Sequence, residues 1–135
     1  MTAIVSRRVL GLLCVSLIAV AGAMGAREAS ARTIHLGARA NGTTMTVAAG
    51  TTVIVTLDDC LTCGYRWVRP SGTSIRPSAS SYVPANLPPG MVGGTGSAVF
   101  RFLVPKTGGT IRLVYLGPGR GATPSDRFRV TIRPR

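Results

Sequence analysis

Apolar and polar residues alternate at a period of two through most of this chain, and the cleanest case lies near its C-terminus. From Arg127 to Arg133, Phe128, Val130 and Ile132 alternate with Arg127, Arg129, Thr131 and Arg133, the pattern of a strand with one dry and one wet face. Thr51 to Leu57 repeats it with Val53, Val55 and Leu57, Ser97 to Val104 with Phe100 and Phe102, and Thr110 to Leu116 with Ile111, Leu113 and Tyr115. Shorter strands are expected at Thr44 to Val47 and Tyr65 to Arg69, with brief pairing at Ser80 to Val83. Between them stand turn signals such as Ala48-Ala49-Gly50 and Lys106-Thr107-Gly108-Gly109. Loops are predicted at 58–64, 84–96 and 117–126, and Pro70 to Ser80 is too rich in Pro, Ser and Gly for long regular structure. About seven short strands with turns every 8–12 residues predict an all-β sandwich, and one polar face per strand argues against a parallel sheet buried on both sides.

The N-terminal stretch departs from this pattern. Arg7 and Arg8 precede an uncharged run from Val9 to Ala26, and Ala29-Ser30-Ala31 follows with small residues at the spacing a signal peptidase accepts. Residues 1–31 therefore read as a secretory signal peptide, with residues 32–43 as a flexible lead-in able to add an edge strand and 44–135 as the folded domain. The 18 uncharged residues could also span a thin bilayer as a retained anchor, but the small residues before the cleavage site favour removal. A secreted or periplasmic location, without stable membrane insertion after cleavage, is the expectation. Cleavage would remove Arg7, Arg8, Arg27 and Glu28, leaving 13 basic and three acidic residues and a net charge of +10. The arginines are spaced singly along strands and an exported protein seldom meets nucleic acid, so nucleic acid is not expected as a partner.

Catalytic groups are hard to assemble from what remains. His35 is the single histidine and sits in the lead-in, and Asp58 and Asp59 are adjacent, so a strand would point them to opposite faces. Two cysteines and one distant histidine fall short of a structural zinc site, and no metal or other cofactor is expected. Cys60-Leu61-Thr62-Cys63 matches the string of redox motifs, which place it at a helix N-terminus that lowers the thiol pKa. Here it lies in a loop between two β patterns, where an even cysteine pair in an oxidising compartment favours a structural Cys60–Cys63 disulfide. An enzyme is not expected.

Three loop segments, in order, give the chain a family likeness. Cys60-Leu61-Thr62-Cys63-Gly64-Tyr65-Arg66-Trp67 is similar to an Asn-Pro-Thr-Thr-Gly-Tyr loop followed by Trp; Thr62, Gly64, Tyr65 and Trp67 match, while Cys60, Leu61 and Cys63 depart. Gly93-Gly94-Thr95-Gly96 before Phe100 and Phe102 is similar to a Gly-x-Gly-Gly loop leading into an aromatic strand. Tyr115-Leu116-Gly117-Pro118-Gly119 keeps the Tyr and Pro of an Arg-Pro-Trp-like loop and has glycine for its Arg and Trp, with Arg120 as a replacement charge. Together these resemble the chagasin family of inhibitors of papain-like cysteine proteases, over roughly residues 43–133.

The resemblance implies an immunoglobulin-like sandwich, a papain-like cysteine protease as partner, and reversible inhibition without covalent chemistry; a monomer is expected. It implies that Leu61, Thr62, Gly64, Gly93, Gly94, Thr95, Gly96, Gly117, Pro118, Gly119 and Arg120 line three loops that plug the active-site cleft. Thr62 would offer its hydroxyl toward the catalytic pair, and the glycines would let backbone approach closely. Tyr65 and Trp67 are expected to pack inward. The alternative is an exported immunoglobulin-like module that binds another envelope partner and does not inhibit, since the third loop lacks the large apolar anchor that often dominates interface energy.

Overall fold

A computed structural model of the protein describes residues 31–135, so the expected signal peptide lies almost wholly outside the described residues. Eight strands follow in chain order: β1 Thr33–Leu36, β2 Thr44–Val47, β3 Thr52–Asp59, β4 Arg66–Val68, β5 Pro77–Val83, β6 Gly96–Leu103, β7 Gly109–Leu116 and β8 Asp126–Pro134. They form two four-stranded sheets, one ordered β1-β3-β6-β5 and the other β2-β8-β7-β4. The alternating residues of the long strands meet between the sheets. Val53, Val55 and Leu57 of β3 and Ala98, Phe100 and Phe102 of β6 face Ile111 and Leu113 of β7 and Phe128, Val130 and Ile132 of β8. Each of these side chains larger than alanine contributes about 1.5–3 kcal/mol on burial, which makes this layer the main source of stability. The architecture is an immunoglobulin-like β-sandwich.

Two expectations are refined. The lead-in does supply an edge strand, which brings the total to eight: β1 pairs in parallel with β3, His35 standing opposite Ile54. Residues 38–40 then make a 3-10 turn, and Asn41 receives the Arg129 amide and donates to the Arg127 carbonyl, fastening the crossover to β8. β2 likewise runs parallel to β8. Parallel pairs thus occur at one edge of each sheet, while every internal pair is antiparallel.

The other change is β5, which begins at Pro77 inside the stretch expected to be irregular. It is an edge strand with a register shift between Pro77 and Ala79, and an edge tolerates a proline at the first position because no ladder donor is needed there. Small adjustments occur elsewhere: β3 runs to Asp59, and β6 starts at Gly96, which pairs with Asp59.

Candidate functional site

The strand directions send three connections to the same end of the sandwich: 60–65 after β3, 84–95 after β5 and 117–125 after β7. The first is a single 3-10 turn at Leu61–Cys63, closed by Cys63 N–H donating to Cys60 O at 3.0 Å and Gly64 N–H to Leu61 O at 3.1 Å. A disulfide joins Cys60 to Cys63 across that turn, with 5.2 Å between the Cα atoms. Gly64 ends it in the left-handed region, φ 81°, where a side chain would be strained.

This turn touches both of the other loops. Thr62 Oγ1 donates to the Gly94 carbonyl at 3.2 Å, joining the first loop to the second. A Cβ at Gly64 would lie 3.2 Å from Pro118 Cβ, so the glycine lets the third loop close on the first. Segments far apart in the chain therefore form one continuous tip.

An aromatic stack supports the tip from below. The Tyr115 ring lies between Tyr65, at 5.2 Å between centroids, and Trp67, at 4.8 Å. The Tyr115 hydroxyl accepts the Cys60 N–H at 2.9 Å, and Trp67 Nε1 donates to the Asp58 carbonyl at 2.8 Å, so each ring pins the end of β3 from the opposite sheet. Both Tyr65 and Trp67 are half-buried supports rather than free contact residues.

Asp59 continues the inward face of β3 and is 5% exposed, whereas Asp58 faces water. Its Oδ1 has no hydrogen-bond partner, and burial pushes its carboxyl above the ordinary 3.8, an effect offset in part by the Tyr115 hydroxyl and the Cys60 amide. Burial, together with the charge of Asp59, also pushes the Tyr115 hydroxyl up. Behind the tip, a cavity of about 330 Å³ is lined by Asp59, Cys60, Trp67, Thr95, Tyr115 and Phe128, among others. Among the described residues no three His, Cys, Asp or Glu side chains are placed to hold a metal ion.

Of the residues singled out from sequence, Leu61, Thr62, Gly64, Gly93, Gly94, Thr95, Pro118, Gly119 and Arg120 are exposed at this end. Leu61 is half exposed and projects an apolar side chain at the tip. Gly96 differs: it belongs to β6, and a Cβ there would collide with the Val83 carbonyl and lie 2.5 Å from the Tyr82 hydroxyl. Its lack of a side chain serves the packing of β5 against β6. Gly117 is half-buried, and a Cβ on it would press on the Tyr65 ring at 3.1 Å. Sequence reasoning missed Met91 and Val92, which are 61% and 97% exposed in the second loop. Two adjacent apolar residues in a loop without strand alternation were the available signal.

Comparison with known proteins gives a consistent result. The family model described as "Chagasin family peptidase inhibitor I42" matches residues 46–132. Chagasin of Trypanosoma cruzi is 34% identical over 100 residues, covering 69% of this chain and 90% of that protein. Among solved structures, a cysteine protease inhibitor from Entamoeba histolytica superposes with a TM-score of 0.65 at 20% identity, covering 77% of this chain and 96% of its own. The solution structure of amebosin superposes at 0.56 with 24% identity, over 77% and 98% of the two chains. At these identities the two structures speak to the fold alone.

Proposed function

Because the chain belongs to the chagasin family of peptidase inhibitors, whose members are inhibitors and not enzymes, we propose that it blocks papain-like cysteine proteases reversibly, by laying its three-loop tip across the active-site cleft. The observation that carries this reading is the pair of contacts Thr62–Gly94 and Gly64–Pro118, which make one surface of three loops. A papain-like cleft holds a thiolate and an imidazolium poised to attack a peptide carbonyl. A loop held by a disulfide and a 3-10 turn fills that cleft without presenting an extended bond to cut. The exposed Leu61, Met91 and Val92 supply apolar area at the tip, in place of the large aromatic side chain absent from the third loop. Fixing the loop before docking also lowers the entropy lost on binding.

The inhibitor acts as a monomer outside the cytoplasm. The charge and hydropathy of residues 1–31 support its export, and an oxidising compartment suits the Cys60–Cys63 bridge. Titrating papain with the exported protein tests the proposal, with stoichiometric loss of activity that returns on dilution as the expected result. Full protease activity at micromolar inhibitor would sink it for these targets. Thr62→Arg should weaken inhibition at least about tenfold while the circular dichroism spectrum is unchanged.

A further inference from the structure

The charge of this protein is not spread evenly over its surface. Outward positions of the β2-β8-β7-β4 sheet carry Arg66 on β4, Arg112 on β7 and Arg127, Arg129 and Arg133 on β8, all exposed. Arg112 and Arg129 are direct cross-strand partners, and Arg127 stands opposite Val114. Like charges placed opposite one another in a sheet destabilise it, so the fold itself does not ask for this arrangement. Among the described residues no acidic side chain relieves it. The acids beyond residue 31 are Asp58, Asp59 and Asp126. Asp58 and Asp59 belong to the other sheet, and Asp126 alternates away from Arg127, using Oδ1 to accept the Arg127 amide. The outer face of the opposite sheet has one strand arginine, Arg101, among Thr52, Ile54, Thr56, Ser97 and Val99.

We infer that this arginine face is a second docking surface, one that takes an anionic phospholipid bilayer. Guanidinium groups pair with phosphate through parallel N–H donors, and all five of these cations are arginine rather than lysine. They cover three adjacent strands in two dimensions, as a planar partner requires, rather than lying in single file as a linear polymer would favour. Half-buried Val68, Val114 and Leu116 occupy outward positions beside the arginines, an apolar element that meets the headgroup–acyl boundary and has no use against a hydrated polyanion. The face runs along the flank of the strands, while the three loops close one end. Both surfaces can therefore be engaged together, and the protein would hold its loops at the border of an anionic membrane.

Sedimentation of the exported protein with vesicles tests this independently of inhibition. Vesicles of phosphatidylcholine with about 30% phosphatidylglycerol should bind it, pure phosphatidylcholine should not, and binding should fall as salt rises from about 0.05 to 0.3 M. Each arginine near such a surface strengthens binding about fivefold, so R112Q/R129Q/R133Q should lose about a hundredfold. The triple variant R32Q/R76Q/R101Q, with the same change in net charge, should stay within about threefold of the parent. Equal losses in the two triple variants would reduce the effect to net charge and overturn the face. Binding to single-stranded oligonucleotide or polyphosphate without binding to the anionic vesicles would overturn the choice of a membrane. Papain inhibition, measured on the same samples, should be unaffected by either triple variant, so loss of the membrane contact and loss of inhibition are read separately.

Discussion

The two ends of this sandwich are made from the same residue types and are built differently. At the end opposite the three loops, the connections at 48–51 and 104–108 are tight turns braced by backbone bonds. Gly50 N–H donates to Val104 O at 2.9 Å, Val104 N–H to Thr51 O at 3.0 Å and Gly108 N–H to Pro105 O at 3.0 Å. These turns tie one strand to the next and close the core. The connections at the loop end are longer than these two turns and, besides the backbone bonds and disulfide within 60–65, they are braced across the tip: a threonine on a carbonyl, a glycine against a proline, and a tyrosine hydroxyl of β7 on an amide. Glycine and proline at one end shorten the path between strands. At the other they allow three separate paths to touch. The comparison places stability in the core and the tight turns, and the proposed function assigns recognition to a tip whose contacts are few and exposed.

The sharpest separation comes from removing a core ring. Phe102 is fully buried near the C-terminal end of β6, and Phe102→Ala should cost about 3–5 kcal/mol in a denaturant melt. Its inhibition, where folded protein persists, should follow only the folded fraction. Leu61→Ala at the tip should move the same melt by less than about 0.5 kcal/mol and weaken inhibition. If instead the tip substitution lowered stability as much as the core one, the two regions would not be separable and the comparison would fail.

The disulfide lies on the boundary between these roles. Replacing Cys60 and Cys63 together by serine should cost about 2 kcal/mol, as expected for releasing a short loop in the unfolded chain. It should also weaken inhibition several-fold by loosening the turn that carries Thr62. Unchanged inhibition with the bridge removed would show that the 3-10 turn and the Tyr115–Cys60 bond suffice to shape the tip. Mass spectrometry before and after reduction reports directly whether the native protein carries the bridge.

The core was legible from alternation alone. Val53, Val55 and Leu57, Phe100 and Phe102, and Phe128, Val130 and Ile132 are buried where a period of two puts them. Much less of the tip could be read, because touching loops are a property of strand order, and one chain carries no record of pairing; the convergence was expected only through the family likeness. Gly96 shows the limit. A glycine in a glycine-rich run has the same appearance in sequence whether it faces a partner or makes room for Tyr82. An edge strand from the lead-in was legible, but the shortness and mixed polarity of β1 hid its bounds and its parallel pairing, and β5 was obscured by Pro77 and a run of serines that an exposed edge tolerates. Asp59 was legible only in part: adjacency to Asp58 put the two on opposite faces, but a loop was expected from residue 58, so the inward alternation of Val53, Val55 and Leu57 was not carried on to it.

That buried carboxylate gives the smallest and most specific prediction, because it lies where the dry interior meets the tip. Burial raises the Asp59 pKa above its unfolded value of 3.8, so the folded state prefers the protonated form. The associated stability is fully present below the unfolded pKa and is lost as pH rises through the folded one. Melting curves between pH 3 and pH 7 should therefore show a component that declines with rising pH, and Asp59→Asn should remove it. At neutral pH the variant should gain about 1 kcal/mol, the order of the cost of an ionised oxygen left without a partner, with little change at pH 3. The Asn carboxamide also keeps an acceptor near the Tyr115 hydroxyl, so the aromatic stack and the Cys60 amide beneath the first loop need not move. Inhibition should then be equal in the parent and the variant at a fixed pH. A variant with improved stability and lost inhibition would mean that the charge of Asp59 shapes the tip, and that the interior and the recognition surface are not independent at this residue.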